Sequence, residues 1–189
     1  MTNFRLPPEM FTQRRMAYDL GGLGITGIVA LGRYNYAKAH APLRPHIHAG
    51  AIEICYLAAG RQTYRVAECE WHMRGGDVYF TFPDEIHDTG GQPEERSILY
   101  WLVVALDQPD GFLDLPAVEG EQLRQRLSDL RAGVRLQQLG PGLNESLDRA
   151  FLALSTEAKG FKQTKSIDER FLLQRTTVRL ALTDFLLQL

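Results

Sequence analysis

The sequence predicts a mainly β domain with helices at its C-terminal end: an antiparallel sandwich or barrel over residues 21–116, then about three helices over 117–189. Two observations carry this. Before residue 116, short β-branched and aromatic runs are separated by Gly-rich turns. Beyond Pro116, the apolar residues switch to helical spacing. A chain of 189 residues and 21.4 kDa suits one compact domain, and it is long enough to bury a core without disulfide staples.

Residues 1–20 are expected to form an N-terminal arm. Leu6-Pro7-Pro8 is extended, because Pro fixes φ and pushes its predecessor out of the α region. Strands are expected over Ile25–Leu31, Ala51–Leu57, Gln62–Ala67, Asp77–Phe82 and Ser97–Ala105, with Ala58-Ala59-Gly60 closing the second of them. The first helix is expected to carry Leu123, Leu127, Leu130 and Val134, spaced 4, 3 and 4. Pro141 opens a second, with Leu143, Leu147, Phe151 and Leu154, and Gly160 stops it. Ser166 opens a third, and Glu169 three residues on completes a capping box. In that helix Ile167, Phe171, Val178, Leu182, Phe185 and Leu189 form one apolar stripe. Leu173, Leu180 and Leu187 repeat at seven on another. One stripe is expected to cover the barrel and the other to meet a second copy of the chain, giving a homodimer through the C-terminal helices. The pattern runs to Leu189 without a stop signal, so the natural chain is expected to continue.

Composition narrows the function classes. With 44% hydrophobic and 10% aromatic residues, the chain is not a disordered one. A net charge of −2 leaves no basic excess of the kind a free-standing DNA-binding domain shows. The longest apolar run, Ile98 to Leu106, is far short of a membrane span. Cys55 and Cys69 form no disulfide framework and read as small buried apolar residues in a reducing, cytoplasmic setting. His40 and His72 have no partners at useful spacing and are expected at the surface.

The chemistry is concentrated between Arg44 and Gly60. His46 and His48 are two apart and share a face if the segment is extended. Glu53 is five beyond His48, an odd offset that faces the other way unless Ala49-Gly50-Ala51 makes a turn or bulge. Gly76-Asp77 and Pro83 precede His87 in a second segment. Three imidazoles and a carboxylate suit one divalent ion, with Zn, Ni, Mn and Fe all compatible. Without an ion, His46 and His48 serve as hydrogen-bonded pocket residues. Glu53 must then face a donor or water, since a buried carboxylate without a partner is costly.

These two segments resemble the two sequence motifs of the cupin barrel. The resemblance implies a cupin-type double-stranded β-helix, or jelly roll. Glu85 stands where many metal cupins carry Gly, and His40 stands where a Gly is expected before the first motif. Within the cupins, the stretch from Gly76 to His87, followed by Gly91, Pro93, Glu94 and Arg96, is similar to the N-terminal sensor domain of AraC-family transcription regulators, and so is Arg44-Pro45. That resemblance implies a small-molecule effector, a sugar or another small metabolite. It implies ligand contacts from Arg44, His46, His48, Glu53, His87 and Tyr100, and contact with DNA only through a C-terminal helix-turn-helix domain that this sequence lacks. Arg44 matches an Arg that touches ligand in the arabinose-responsive member. Tyr100 and Leu102 replace a His and a Trp there, which argues against an arabinose-like ligand. Tyr100 is expected inside the barrel and its neighbour Trp101 outside. The first expectation is therefore a non-enzymatic sensing and dimerisation domain. The alternative is a stand-alone metal-dependent cupin oxygenase or isomerase, with His46, His48, Glu53 and His87 on the metal. A third reading is a metal-free sugar-binding or isomerase-like cupin.

Overall fold

The computed structural model describes residues 15–107, 111–130, 135–140, 142–155 and 167–189. The strands are β1 (Arg15–Asp19), β2 (Ile28–Tyr36), β3 (Ala51–Val66), β4 (Cys69–Arg74), β5 (Asp77–Thr81), β6 (His87–Asp88), β7 (Ser97–Ala105) and β8 (Leu136–Gln138). The helices are α1 (Ala117–Asp129), α2 (Asn144–Ser155) and α3 (Ile167–Leu187). All pairings are antiparallel, and the large sheet runs β1-β2-β7-β3-β5-β8.

The long strand β3 makes the barrel. Its first part lies between β7 and β5. The register shifts between Leu57 and Ala59, and from Arg61 to Val66 the strand pairs with β4 and β6 instead. Ala58-Ala59-Gly60 is thus a bulged corner rather than a strand end, and the two strands expected over 51–57 and 62–67 are one. Gly60 is required there: its φ is +94° and a side chain would run into the carbonyl of Arg96. A bridge between His46 and His87, and another between His40 and Glu94, lay the segment between them along the second layer.

Three further expectations change. Arg15–Asp19 is a strand on β2, not part of an arm; residues 1–14 lie outside the described residues. The strand expected at Ile25–Leu31 begins at Ile28, because Gly24 and Gly27 take left-handed φ values of +64° and +86° ahead of it. β8 emerges from the region read as helical and pairs with β5, so the β and helical parts interleave beyond residue 116. Val134, Pro141, Gly160 and Ser166, and with Ser166 the capping box, lie outside the described residues.

Both faces of the large sheet are covered. Ile54, Tyr56, Val78, Phe80, Tyr100 and Leu102 face α1, α2 and α3 through Leu123, Leu127, Leu147, Phe151, Leu182 and Phe185. Tyr34, Cys55, Leu57, Tyr64, Tyr79, Leu99 and Trp101 fill the barrel interior. Two-sided burial explains why β7 reads as one continuous apolar run. α3 buries Val178, Ala181, Leu182, Phe185 and Leu186, and Leu189 just beyond its end is buried as well. Leu173, Leu180 and Leu187 stay 55%, 57% and 56% exposed. Phe171, counted in the same stripe as Val178, Leu182 and Phe185, is exposed near the start of the helix. No described helix is long and apolar enough to cross a membrane.

Gly32 of β2 lies opposite Trp101, and any Cβ there would overlap the indole ring. Its backbone is ordinary for a strand, so the requirement is for space alone. Gly32→Ala is expected to destabilise the fold by about 2–3 kcal/mol through overpacking. Thermal denaturation of the variant checks this, and an unchanged midpoint contradicts it.

Candidate metal and ligand site

His46, His48, Glu53 and His87 converge, with one donor atom from each lying within 4.8 Å of the others. The turn expected at Ala49-Gly50 brings this about. Gly50 is left-handed at φ +65°, and the turn resets the facing so that Glu53, the third residue of β3, points inward with His48. The His46–His87 bridge sets those two rings 4.0 Å apart, centroid to centroid. The residues beside them face the other way: Ile47 and Ile86 are 49% and 62% exposed, whereas His87 is buried. Glu53 and His87 form the deep side of the site. His46 and His48 are half-buried at its mouth.

Hydrogen bonding settles the tautomers. His46 Nδ1 lies 3.0 Å from the carbonyl of Arg44, and His87 Nδ1 lies 3.1 Å from the carbonyl of Glu85. A carbonyl only accepts, so each Nδ1 carries a proton and each neutral ring presents a lone pair at Nε2. His87 Nε2 meets Glu53 Oε2 at 2.9 Å, and His48 Nε2 lies 3.8 Å from Glu53 Oε1. A lone pair facing a carboxylate is repulsive unless a proton or a cation is shared. Burial opposes charge on Glu53, but its bonds to His48 and His87 outweigh that, and the carboxyl is held well below the usual range. Burial also disfavours the charged form of His87; the bond to Glu53 overrides it and raises the imidazole. His46 goes the opposite way, lowered by burial and by the neighbouring His87.

The four residues fit a divalent cation. Imidazole nitrogen and carboxylate oxygen bind such ions at about 2.0–2.2 Å, which places two donors on one ion roughly 3–3.5 Å apart. The observed 2.9 and 3.8 Å separations bracket that range. The backbone carbonyls on the two Nδ1 atoms are the partners that orient metal-binding histidines.

Two predicted site residues fall elsewhere. Tyr100 faces the helices, not the barrel interior: its ring packs edge-on against Phe151 at 5.9 Å and its hydroxyl donates to Asp148 on α2 at 2.5 Å. Trp101 occupies the interior, because it pairs with Cys55 and Gly32 on the same face as Glu53. Arg44 is exposed, and it reaches the site through its carbonyl rather than its guanidinium. Beyond the site, Cys55 is buried and Cys69 is exposed. His72 is exposed as expected, whereas His40 is half-buried with its ring 4.1 Å from Tyr36.

The architecture and this inward-facing cluster define a cupin, the double-stranded β-helix class. Residues 31–173 match the AraC-like ligand binding domain, and the chain belongs to that family. No curated protein matches the chain. Similar solved structures include a cupin protein from Bacteroides fragilis, at 15% identity over 59% of this chain and 92% of that one, with a TM-score of 0.39. A predicted oxalate decarboxylase from Thermotoga maritima is 17% identical over 47% and 75%, with a TM-score of 0.37. Bacillus subtilis oxalate decarboxylase, described for its Mn(II) centres, is 15% identical over 67% and 37%, with a TM-score of 0.38.

Proposed function

We propose that the chain is the sensing and dimerisation part of an AraC-type transcription regulator. In this reading it binds a small effector at the barrel mouth, and it acts on a DNA-binding region outside this sequence. The observation that carries the proposal is the family match combined with a site that opens through half-buried His46 and His48. His46, His48, Glu53 and His87 would hold one divalent cation, whose positive charge and Lewis acidity attract a donor atom of the effector. The chain's own residues do the rest. Glu53 supplies the negative charge, the carbonyls of Arg44 and Glu85 orient His46 and His87, and the packed barrel interior confines the effector to the mouth. An effector alters DNA binding only through different affinities for two arrangements of barrel and helices.

The three-histidine, one-carboxylate cluster also favours a second reading, a metal-dependent cupin enzyme. Sequencing beyond the codon for Leu189 separates the two. The regulator reading expects a basic two-helix DNA-binding unit; a stop codon there, with no such unit, overturns it.

A further inference from the structure

The loop that carries His87 is clamped from the helical half of the chain. Both oxygens of Glu85 are held by Arg135, with Nη1 to Oε2 and Nη2 to Oε1 at 2.7 Å each. Glu85 Oε2 also accepts the N–H of Phe82 at 2.9 Å, closing the loop on itself. The carbonyl of the same Glu85 orients His87, and the N–H of Asp84 donates to the carbonyl of His48 at 3.3 Å. One short loop therefore sets two of the four site residues. Arg135 is anchored in turn. Its carbonyl accepts from Phe80 at 2.9 Å, and its guanidinium lies over the Phe82 ring at 5.2 Å. It immediately precedes β8, which pairs with β5, and α2 follows β8 and packs on α3.

We propose that Arg135 is a positioning residue: through Glu85 it fixes His87 for cation binding and ties the state of the site to β8. This rests on the reading of the four-residue site as a cation site. The pair is only about a fifth exposed at each side chain, and the planar guanidinium matches the carboxylate at two points. Both features suit a strut rather than a loose surface pair. Linkage makes the effect reciprocal, so a cation that needs the strut also stabilises it.

The test is calorimetric titration of the folded chain with Zn(II), comparing wild type with Arg135→Met, Arg135→Lys and Glu85→Gln, together with amide exchange at β8. Arg135→Met and Glu85→Gln are expected to weaken Zn(II) binding by up to about 10-fold, the low end of the range for lost partners of metal ligands, because the Glu85 carbonyl that touches His87 stays in place. Arg135→Lys is expected to recover part of it, because Lys keeps the charge without the fork. Zn(II) is expected to slow exchange at β8 in wild type and not in Arg135→Met. If Arg135→Met fails to fold, the lysine and glutamine variants carry the comparison. Equal Zn(II) affinity and equal β8 protection in all variants overturns the strut alone. A wild-type chain that takes up no Zn(II) overturns the site reading, and the strut with it.

Discussion

Glu53→Gln is expected to abolish cation uptake while leaving the barrel folded. The substitution keeps the volume and replaces the only negative charge among the four converging groups. What remains are three neutral or positively charged rings around a buried amide. Removing a charged ligand from a site whose other donors are imidazoles is expected to weaken Zn(II) or Mn(II) binding by at least about 100-fold, more than the loss of an orienting partner costs. The fold is expected to survive, because Glu53 takes part in the β3 ladder through its backbone to Thr81 and Val103. Calorimetric titration alongside far-ultraviolet circular dichroism checks both halves. Retained affinity in a folded Glu53→Gln variant would remove the carboxylate from the site.

Leu180→Glu is expected to convert a dimer into a monomer. Leu173, Leu180 and Leu187 lie more than half exposed along α3 at the seven-residue repeat that lets two helices pack side by side. The opposite side of α3 is already engaged with the barrel, so this stripe is available to a second copy of the chain. Covering the exposed half of one Leu contributes about 1 kcal/mol, and a two-fold interface covers it twice. A charge at the middle of the stripe is therefore expected to weaken association by two or more orders of magnitude. Sedimentation equilibrium at micromolar concentration reads this directly. A wild-type chain that sediments as a monomer contradicts the assignment of the stripe.

Much of the site was legible in the sequence because it depends on local rules. His46 and His48 share a face by strand periodicity, and Gly50 supplied the turn that Glu53 needed. His87 came from its place after Pro83 in the second segment. The facing of Tyr100 and Trp101 was not legible, because both flanks of β7 are buried and an apolar run on both parities carries no inside and outside. The deciding feature was Gly32, which leaves space for the indole and is visible only once β2 and β7 are paired. Likewise Gly60 reads as a stop in one dimension and is a corner in three. β4 alternates Cys69, Trp71 and Met73 and could have been found by that signal. β8 is three residues long and gives none. The Glu85–Arg135 pair joins residues fifty apart in the chain, beyond the reach of any spacing rule.

Metal analysis and Zn(II) or Mn(II) titration of the purified, folded wild-type chain test the account at its centre. One divalent ion per chain, lost in Glu53→Gln and in His48→Ala, is the predicted result. A fully folded chain that binds neither ion would contradict the account.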